Sequence, residues 1–345
     1  MSDSASFWST WRTVVVVLTT SLLTVVAIDT FLHRFHRPVH RREIVDAMSD
    51  YEHADPTTLV LGSSHARTFL AVDEAVRART QGRERILPVP MEWGKFTSYL
   101  WVLRHRLAPL MEERDAAGEL RRKSLRRFLL LTAWWDGCKR DSDAPTLNVP
   151  SRAWRFEDFL RDVALHGMNP YNRSYVSSRW GELGWHSVLI SDRGIQLAPQ
   201  AERDALRPPS ERTRRDRFER QALKGRRIVA SCAKGIAHPD ELRALDEILA
   251  VALGRGLQTT VVLYPLPPST YTPSQRETIL EPTNQAVCAV ARRRGIPCFD
   301  LTFQVPVGDS DFMNDLDHLA PVGDAKFTAW ALEHDLAFLV APVGP

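Results

Sequence analysis

Apolar residues in this chain fall into short unbroken runs, and the runs alternate with stretches of helical periodicity. Thr58–Leu61, Arg85–Val89, Phe128–Trp134, Thr259–Tyr264 and Pro297–Leu301 read as strands. They carry little polar alternation, the mark of strands covered on both faces. Arg67–Ala78, Phe96–Glu113, Pro239–Leu253, a segment from Ser274 to about Arg294, and Val322–Leu339 read as helices. In the third of these, Leu242, Leu245, Ile248, Leu249 and Leu253 share one face and Gly254 suits the stop. Ser274 and Glu277 have the spacing of a capping box that opens the fourth. The alternation predicts an α/β fold: a three-layer sandwich with a central parallel sheet of about five strands.

Two regions leave this rhythm. Thr13 to Ile28 carries no charge, with Phe7, Trp8 and Trp11 before it and Phe31 and Leu32 after Asp29. Its length is a little under the ~20 apolar residues of a spanning helix, and the aromatic flanks suit the two interfaces. No small-x-small cleavage site follows, so the run is expected to be an uncleaved transmembrane anchor. Arg34, Arg37, Arg41 and Arg42 follow it, and the positive-inside rule taken alone would put the remainder in the cytoplasm. The second region, Gly137 to Lys234, is rich in Arg, Pro, Trp and Tyr and reads as an insertion or lid over the sheet's carboxyl edge. Its basic stretch, Arg203 to Arg227, suits either a solvated helix or contact with anionic headgroups or an acidic glycan. The expected organisation is an anchor with flanks (1–36), a polar stalk (37–56), a first core segment (57–136), the insertion (137–235) and a second core segment (236–345).

The 45 basic and 42 acidic residues leave a net charge of +3, too balanced for a nucleic-acid binder, and no nucleic-acid motif is present. Cys138, Cys232, Cys288 and Cys298 form no C-x-x-C pair, which argues against structural zinc. Buried free thiols are the expectation, with Cys288–Cys298 the pair that a helix and its following strand could bring together. No metal site is implied, and no glycine-rich fingerprint follows a strand, so no nucleotide cofactor is expected. Asn172-Arg173-Ser174 matches a glycosylation sequon.

The chemistry gathers in two motifs about 250 residues apart. Thr58-Leu59-Val60-Leu61-Gly62-Ser63-Ser64-His65 runs from a buried strand into a sharp, serine-bearing turn. Asp315-Leu316-Asp317-His318-Leu319-Ala320-Pro321 sets a carboxylate three residues before a histidine, ahead of a helix. A hydroxyl, an imidazole and a carboxylate are what acyl transfer through a serine needs. Ser64 taken alone also suits a helix N-cap, and His318 alone a surface loop.

Together the motifs resemble the SGNH (GDSL-type) hydrolase superfamily, whose fold is flavodoxin-like. Gly62-Ser63-Ser64-His65 stands where the Gly-Asp-Ser-Leu block stands, and aligning the glycines puts the nucleophile at Ser64. Asp315-x-x-His318, followed by Leu-Ala-Pro-Val-Gly, matches the last block, which implies His318 as base and Asp315 as its orienter. The resemblance implies oxyanion donors at the Ser64 amide and at Gly94, after the second strand. The family's block-three asparagine is missing: the third strand ends Thr132-Ala133-Trp134-Trp135-Asp136-Gly137. Losing such a donor costs on the order of 3 kcal/mol in a barrier. His65, Trp134 and Trp135 are candidates for substrate contact, and Asp317 is expected to point elsewhere. The likeness is nearest to the membrane-anchored subset that serves O-acylation of bacterial envelope polysaccharides. It implies a serine O-acyltransferase or esterase moving acetyl groups on a glycan, an extracytoplasmic (periplasmic) domain and an integral-membrane acyltransferase as partner. A plain carbohydrate or lipid esterase, and a non-catalytic glycan-binding or assembly protein on a degenerate fold, are the alternatives.

Overall fold

The computed structural model describes residues 11–17, 19–21, 23–24, 27, 51, 55–91, 94–121, 123–138, 159–161, 163–164, 167–168, 176, 211–232 and 237–341. Five strands, β1 (Thr58–Ser63), β2 (Ile86–Met91), β3 (Arg127–Thr132), β4 (Gln258–Leu263) and β5 (Cys298–Asp300), form one sheet. All pairings are parallel and the order is β2-β1-β3-β4-β5. The chain thus builds outward one way from β1 to β2, then reverses through β3 to β5. The crevice at such a reversal, at the carboxyl ends of β1 and β3, is where open α/β sheets bind ligands.

Among the described residues the longer helices after β1 are α1 (Phe69–Thr80), α2 (Phe96–Val102), α3 (Glu211–Cys232), α4 (Pro239–Leu253), α5 (Glu281–Arg293) and α6 (Pro321–Glu333), with α5 entered from a helical turn that opens at Pro273 and passes through a π-helical stretch, Arg276–Leu280. Side-chain alternation along the strands sorts them into two layers. Leu59, Leu61, Val89, Phe128, Leu130, Val261 and Leu263 pack with Phe96, Tyr99, Leu245, Leu249 and Val287 of α2, α4 and α5. Val60, Ile86, Leu129, Leu131 and Val262 turn to the other face, against Phe69, Val72, Phe327 and Ala331 of α1 and α6. A smaller cluster of Trp134, Cys138, Val229, Cys232, Leu266, Ile279 and Leu280 fixes α3 by the carboxyl ends.

The expected α/β sheet is present, with local corrections. β1 and β2 each run two residues further than predicted. β3 stops at Thr132, and Trp134–Gly137 form a 3-10 turn. The capping box lies at Thr272 and Gln275, not at Ser274 and Glu277. Thr272 Oγ1 accepts from the Gln275 amide (3.1 Å) and Gln275 Oε1 from the Thr272 amide (2.9 Å). Pro273 explains the shift, because proline favours the first helical position and leaves the cap to the residue before it. α6 ends at Glu333, and a separate 3-10 turn covers Ala337–Leu339.

The cysteines are not free thiols. Cys138–Cys232 and Cys288–Cys298 are disulfides, with Cα atoms 5.7 and 5.4 Å apart. The second joins α5 to β5. The first spans 94 residues and ties the end of α3 to the turn after β3. Of the insertion, α3 is described in full along its backbone, and Arg215, Arg220, Lys224, Arg226 and Arg227 are exposed on it, as a solvated face requires. The sequon at Asn172 and almost all of the stalk lie outside the described residues. Among the described residues no helix is long and apolar enough to cross a membrane. The expected anchor falls partly outside them; 13–17, 19–21, 23–24 and 27 are helical, and Val14, Val15, Val16 and Val17 are 41–62% exposed.

Candidate active site

β1 delivers Ser64, the candidate nucleophile. At its end Gly62 lies so close to β3 that a Cβ there would sit 2.5 Å from the Leu131 carbonyl oxygen, so only glycine lets the strands meet. After Ser63 the chain enters a 3-10 turn, Ser64–Thr68, before α1. Ser64 is therefore the first residue past the sheet edge, and its opening amide has no acceptor within the turn.

The partner loop is rigidly closed. Phe312 and Leu319 form an antiparallel bridge, and the Met313 amide donates to the His318 carbonyl (2.7 Å). The Leu319 amide donates to the Tyr264 hydroxyl (3.0 Å), and Lys326 Nζ holds the Asp311 carboxylate at 2.8 and 2.9 Å. Leu316 takes a φ of +51°, a left-handed conformation that costs a branched residue about 1–2 kcal/mol. Around this strained residue Asp315 Oδ1 accepts from the amides of Asp317 (3.0 Å) and His318 (3.1 Å). Asp315 Oδ2 then accepts from His318 Nδ1 at 2.8 Å, and His318 Nε2 lies 2.6 Å from Ser64 Oγ. The three residues singled out in the sequence meet.

The carboxylate can only accept, so Nδ1 carries the imidazole proton and Nε2 is left to accept from the Ser64 hydroxyl. Burial works against the Asp315 charge, but the hydrogen bonds from the His318 ring and amide and the Asp317 amide outweigh it and hold the carboxyl at about 2. Burial also pulls His318 down. The hydrogen bond to Asp315 and the charges of Asp317 and Asp315 overcome that, leaving the imidazole above its ordinary 6.5.

A second serine–histidine–aspartate set lies beneath the first. Ser63 Oγ is 2.6 Å from His65 Nδ1, and His65 Nε2 faces both the Asp317 carbonyl (3.1 Å) and Asp317 Oδ1 (3.0 Å). Both groups facing Nε2 are acceptors, so Nε2 carries the proton and Ser63 donates to Nδ1. The two imidazoles stack at 5.0 Å, and Asp317 Oδ2 is 3.8 Å from His318 Nδ1. This corrects two expectations. Asp317 points into the site, and His65, only 2% exposed, is no substrate contact. Its ring is enclosed by Trp135, Tyr264 and His318. His65 anchors Asp317, and Asp317 adds its charge beside His318. Replacing His65 by phenylalanine should lower kcat up to about 100-fold through misplacement of that loop. It should also move the acid limb of the pH–rate profile down, since the Asp317 charge that favours protonated His318 is released. His65→Gln keeps a donor for Asp317 and should recover most of both effects; a flat response in both variants would refute the role.

The other predicted residues fare unevenly. Gly94 follows β2, but its amide donates to the Met91 carbonyl (3.0 Å) and its own carbonyl accepts from the Tyr99 hydroxyl (3.1 Å). The amide assigned to the oxyanion is thus engaged by the last residue of β2. Trp134 is core-packed and 4% exposed, edge-on to Trp135, with little face left for a sugar ring. Where the family asparagine is missing, Asp136 is fully buried and its Oδ2 accepts from the Ala133 amide (2.9 Å) and the Tyr99 hydroxyl (3.1 Å). Burial pushes this carboxyl well above its ordinary range. The pairing holds the turn after β3 against α2.

Beside His318 opens a cleft of about 200 Å³. Its floor is Asp315–His318, one wall is Trp134 and Trp135, and α3 supplies another through Gln221, Lys224, Gly225, Ile228 and Val229. The sequence suggests an insertion or lid over this region but singles out none of these residues; their spacing on a single helical face was the available signal. Among the described residues, His65, Asp317 and His318 bring ligating atoms within 4.8 Å of one another, but each is already committed to the hydrogen bonds above. Comparison with family models, with curated proteins and with solved structures returns no match for this chain.

Proposed function

We propose that this protein is a serine acyl-transfer enzyme of the SGNH type. The observation that carries the reading is the linear set Ser64 Oγ, His318 Nε2, His318 Nδ1, Asp315 Oδ2, with contacts of 2.6 and 2.8 Å. His318 takes the Ser64 proton as Oγ attacks an ester carbonyl, and returns it to the leaving oxygen as the tetrahedral intermediate collapses to an acyl-serine. A second hydroxyl, from a glycan or from water, gives its proton to the same Nε2 as it attacks the acyl-serine, and Nε2 passes that proton to the departing Ser64 Oγ as the acyl group is released. Asp315, charged throughout, stabilises the imidazolium in both halves. The Ser64 amide is one donor to the developing oxyanion. The strand order and the place of Ser64 at its reversal support the flavodoxin-like SGNH arrangement.

The placement proposed is extracytoplasmic, behind an N-terminal anchor and beside an integral-membrane acyltransferase. Two disulfides favour an oxidising compartment. The exposed valines at 14–17 favour burial in a bilayer, the region where such a patch has a partner. A non-catalytic glycan-binding protein on the same scaffold is the second reading. The engaged Gly94 amide and the absent block-three asparagine favour it.

One experiment separates the two. A fluorophosphonate probe should label the full chain at Ser64, the label should vanish in Ser64→Ala, and it should fall sharply in His318→Ala. A protein that stays unlabelled while natively folded would be the binding protein instead.

A further inference from the structure

The α3 wall gives the cleft a polarity. The residues of α3 that face it, Gln221, Lys224, Gly225, Ile228 and Val229, form one stripe at helical spacing. The stripe is polar at its start and apolar at its end, over about 12 Å of helix. Leu266 and Leu316 add to the apolar lining with Ile228, Val229, Trp134 and Trp135. Thr270, the remaining hydroxyl in the lining, already donates to the Pro267 carbonyl at 2.7 Å. A sugar ring would find few hydrogen-bond partners at that end. An aliphatic chain would find a fitted surface.

The wall is built, not incidental. Gly225 lets α3 lie directly on the turn after β4, for a Cβ there would come 2.7 Å from the Thr270 Cβ. Gln275 Nε2 donates to the Arg226 carbonyl (2.8 Å), Arg226 Nε donates to the Ser269 carbonyl (3.0 Å), and Cys232 is bonded to Cys138.

We infer that the cleft is an acyl pocket and that its occupant is an apolar acyl group longer than acetyl, of four to eight carbons. The size follows from the space: a cavity of about 150 Å³ lined by aliphatic side chains takes up a benzene molecule, and this one measures about 200 Å³. An acetyl group would leave most of it unfilled. The chain lies on the α3 wall, the ester carbonyl reaches Ser64 beside His318, and the acceptor enters past Gln221 and Lys224. The inference rests on the proposed Ser64 chemistry and refines it.

The test is a matrix of p-nitrophenyl esters, acetate through octanoate, against ethyl to hexyl acetates, measured on the full chain in detergent. Burial of each added methylene is worth roughly a fourfold gain, so kcat/KM for hexanoate should exceed that for acetate at least tenfold. Lengthening the alcohol should have little effect. Ile228→Trp, which fills the pocket, should bring the hexanoate-to-acetate ratio close to one. Ile228→Ala, which enlarges it, should move the optimum to longer chains and serves if the larger residue prevents folding. Leu223→Ala, on an exposed position of α3 away from the cleft, should leave the ratio unchanged. Turnover that favours acetate, a ratio indifferent to both Ile228 variants, or a steep dependence on the alcohol would overturn the acyl pocket while leaving Ser64 chemistry intact. No turnover of any ester, with no probe label at Ser64, would remove the enzyme reading and this inference with it.

Discussion

Alanine at Ser64 should cut kcat/KM for an activated ester by on the order of 10⁴- to 10⁶-fold, with the far-ultraviolet circular dichroism unchanged. In the proposed reaction the acyl group is bonded to Oγ, so nothing else in the cleft can substitute for it. His318→Ala should cost about as much, and the double variant no more than either alone, because a base without a nucleophile has nothing to activate. Asp315→Asn should cost roughly 10⁴-fold: its oxygen stays on the Asp317 and His318 amides, its NH2 faces Nδ1, and the ring loses the tautomer that leaves Nε2 open. The pH profile adds an independent readout. His318 acts as base only when neutral, and its pKa is raised above 6.5, so kcat/KM should climb with pH through a midpoint above 6.5. Asp315, at about 2, contributes no second limb in the accessible range. In Asp315→Asn the favourable charge is gone, so the residual activity should titrate at lower pH than in the parent. Retention of more than a tenth of the activity in Ser64→Ala, under conditions where the parent turns over, would end the assignment.

What the chain disclosed in advance, and what it hid, divides along a physical line. The strands were legible because a strand buried on both faces must be apolar at every position, as Leu59, Val60 and Leu61 are, each fully buried. Ser64, Asp315 and His318 were legible because each sits in a short local pattern tied to a turn. Partnerships between such patterns were not. His65 and Asp317 are 252 residues apart, and nothing near either announces the other; beside Asp315, Asp317 is expected from the sequence to point away from the site. Gly94 was misjudged for a related reason. Where β2 ends decides whether its amide is free, and strand ends are set by pairing with β1, which places Met91 opposite Ser63. The broken rhythm sets 137–235 apart in the sequence, but the use of α3 as a cleft wall depends on a covalent tie that composition does not reveal.

That tie carries the second large effect. Cys138 and Cys232 close a loop of 94 residues, and a loop of that length removes roughly 4–5 kcal/mol of chain entropy from the unfolded state. The Cys288–Cys298 bridge spans 10 residues and is worth less than about 3 kcal/mol on the same scale. Replacing Cys138 and Cys232 by alanine should therefore destabilise the protein more than replacing Cys288 and Cys298. The loss should also be local first. The sheet keeps its own two apolar layers, whereas α3 depends on the small cluster around Trp134, Val229, Leu266 and Ile279 and on hydrogen bonds from Arg226 and Gln275 that are exposed to water. Such bonds are worth about 1 kcal/mol each, too little to replace the tie. In Cys138→Ala/Cys232→Ala, then, urea should abolish ester turnover and open α3 to protease before the circular dichroism of the sheet changes. In Cys288→Ala/Cys298→Ala activity and dichroism should fall together, since α5 and β5 belong to the main core. A Cys138→Ala/Cys232→Ala variant that loses activity only at the urea concentration where the sheet melts would mean that α3 is held by its packing alone, and that the bridge does not secure the wall of the site.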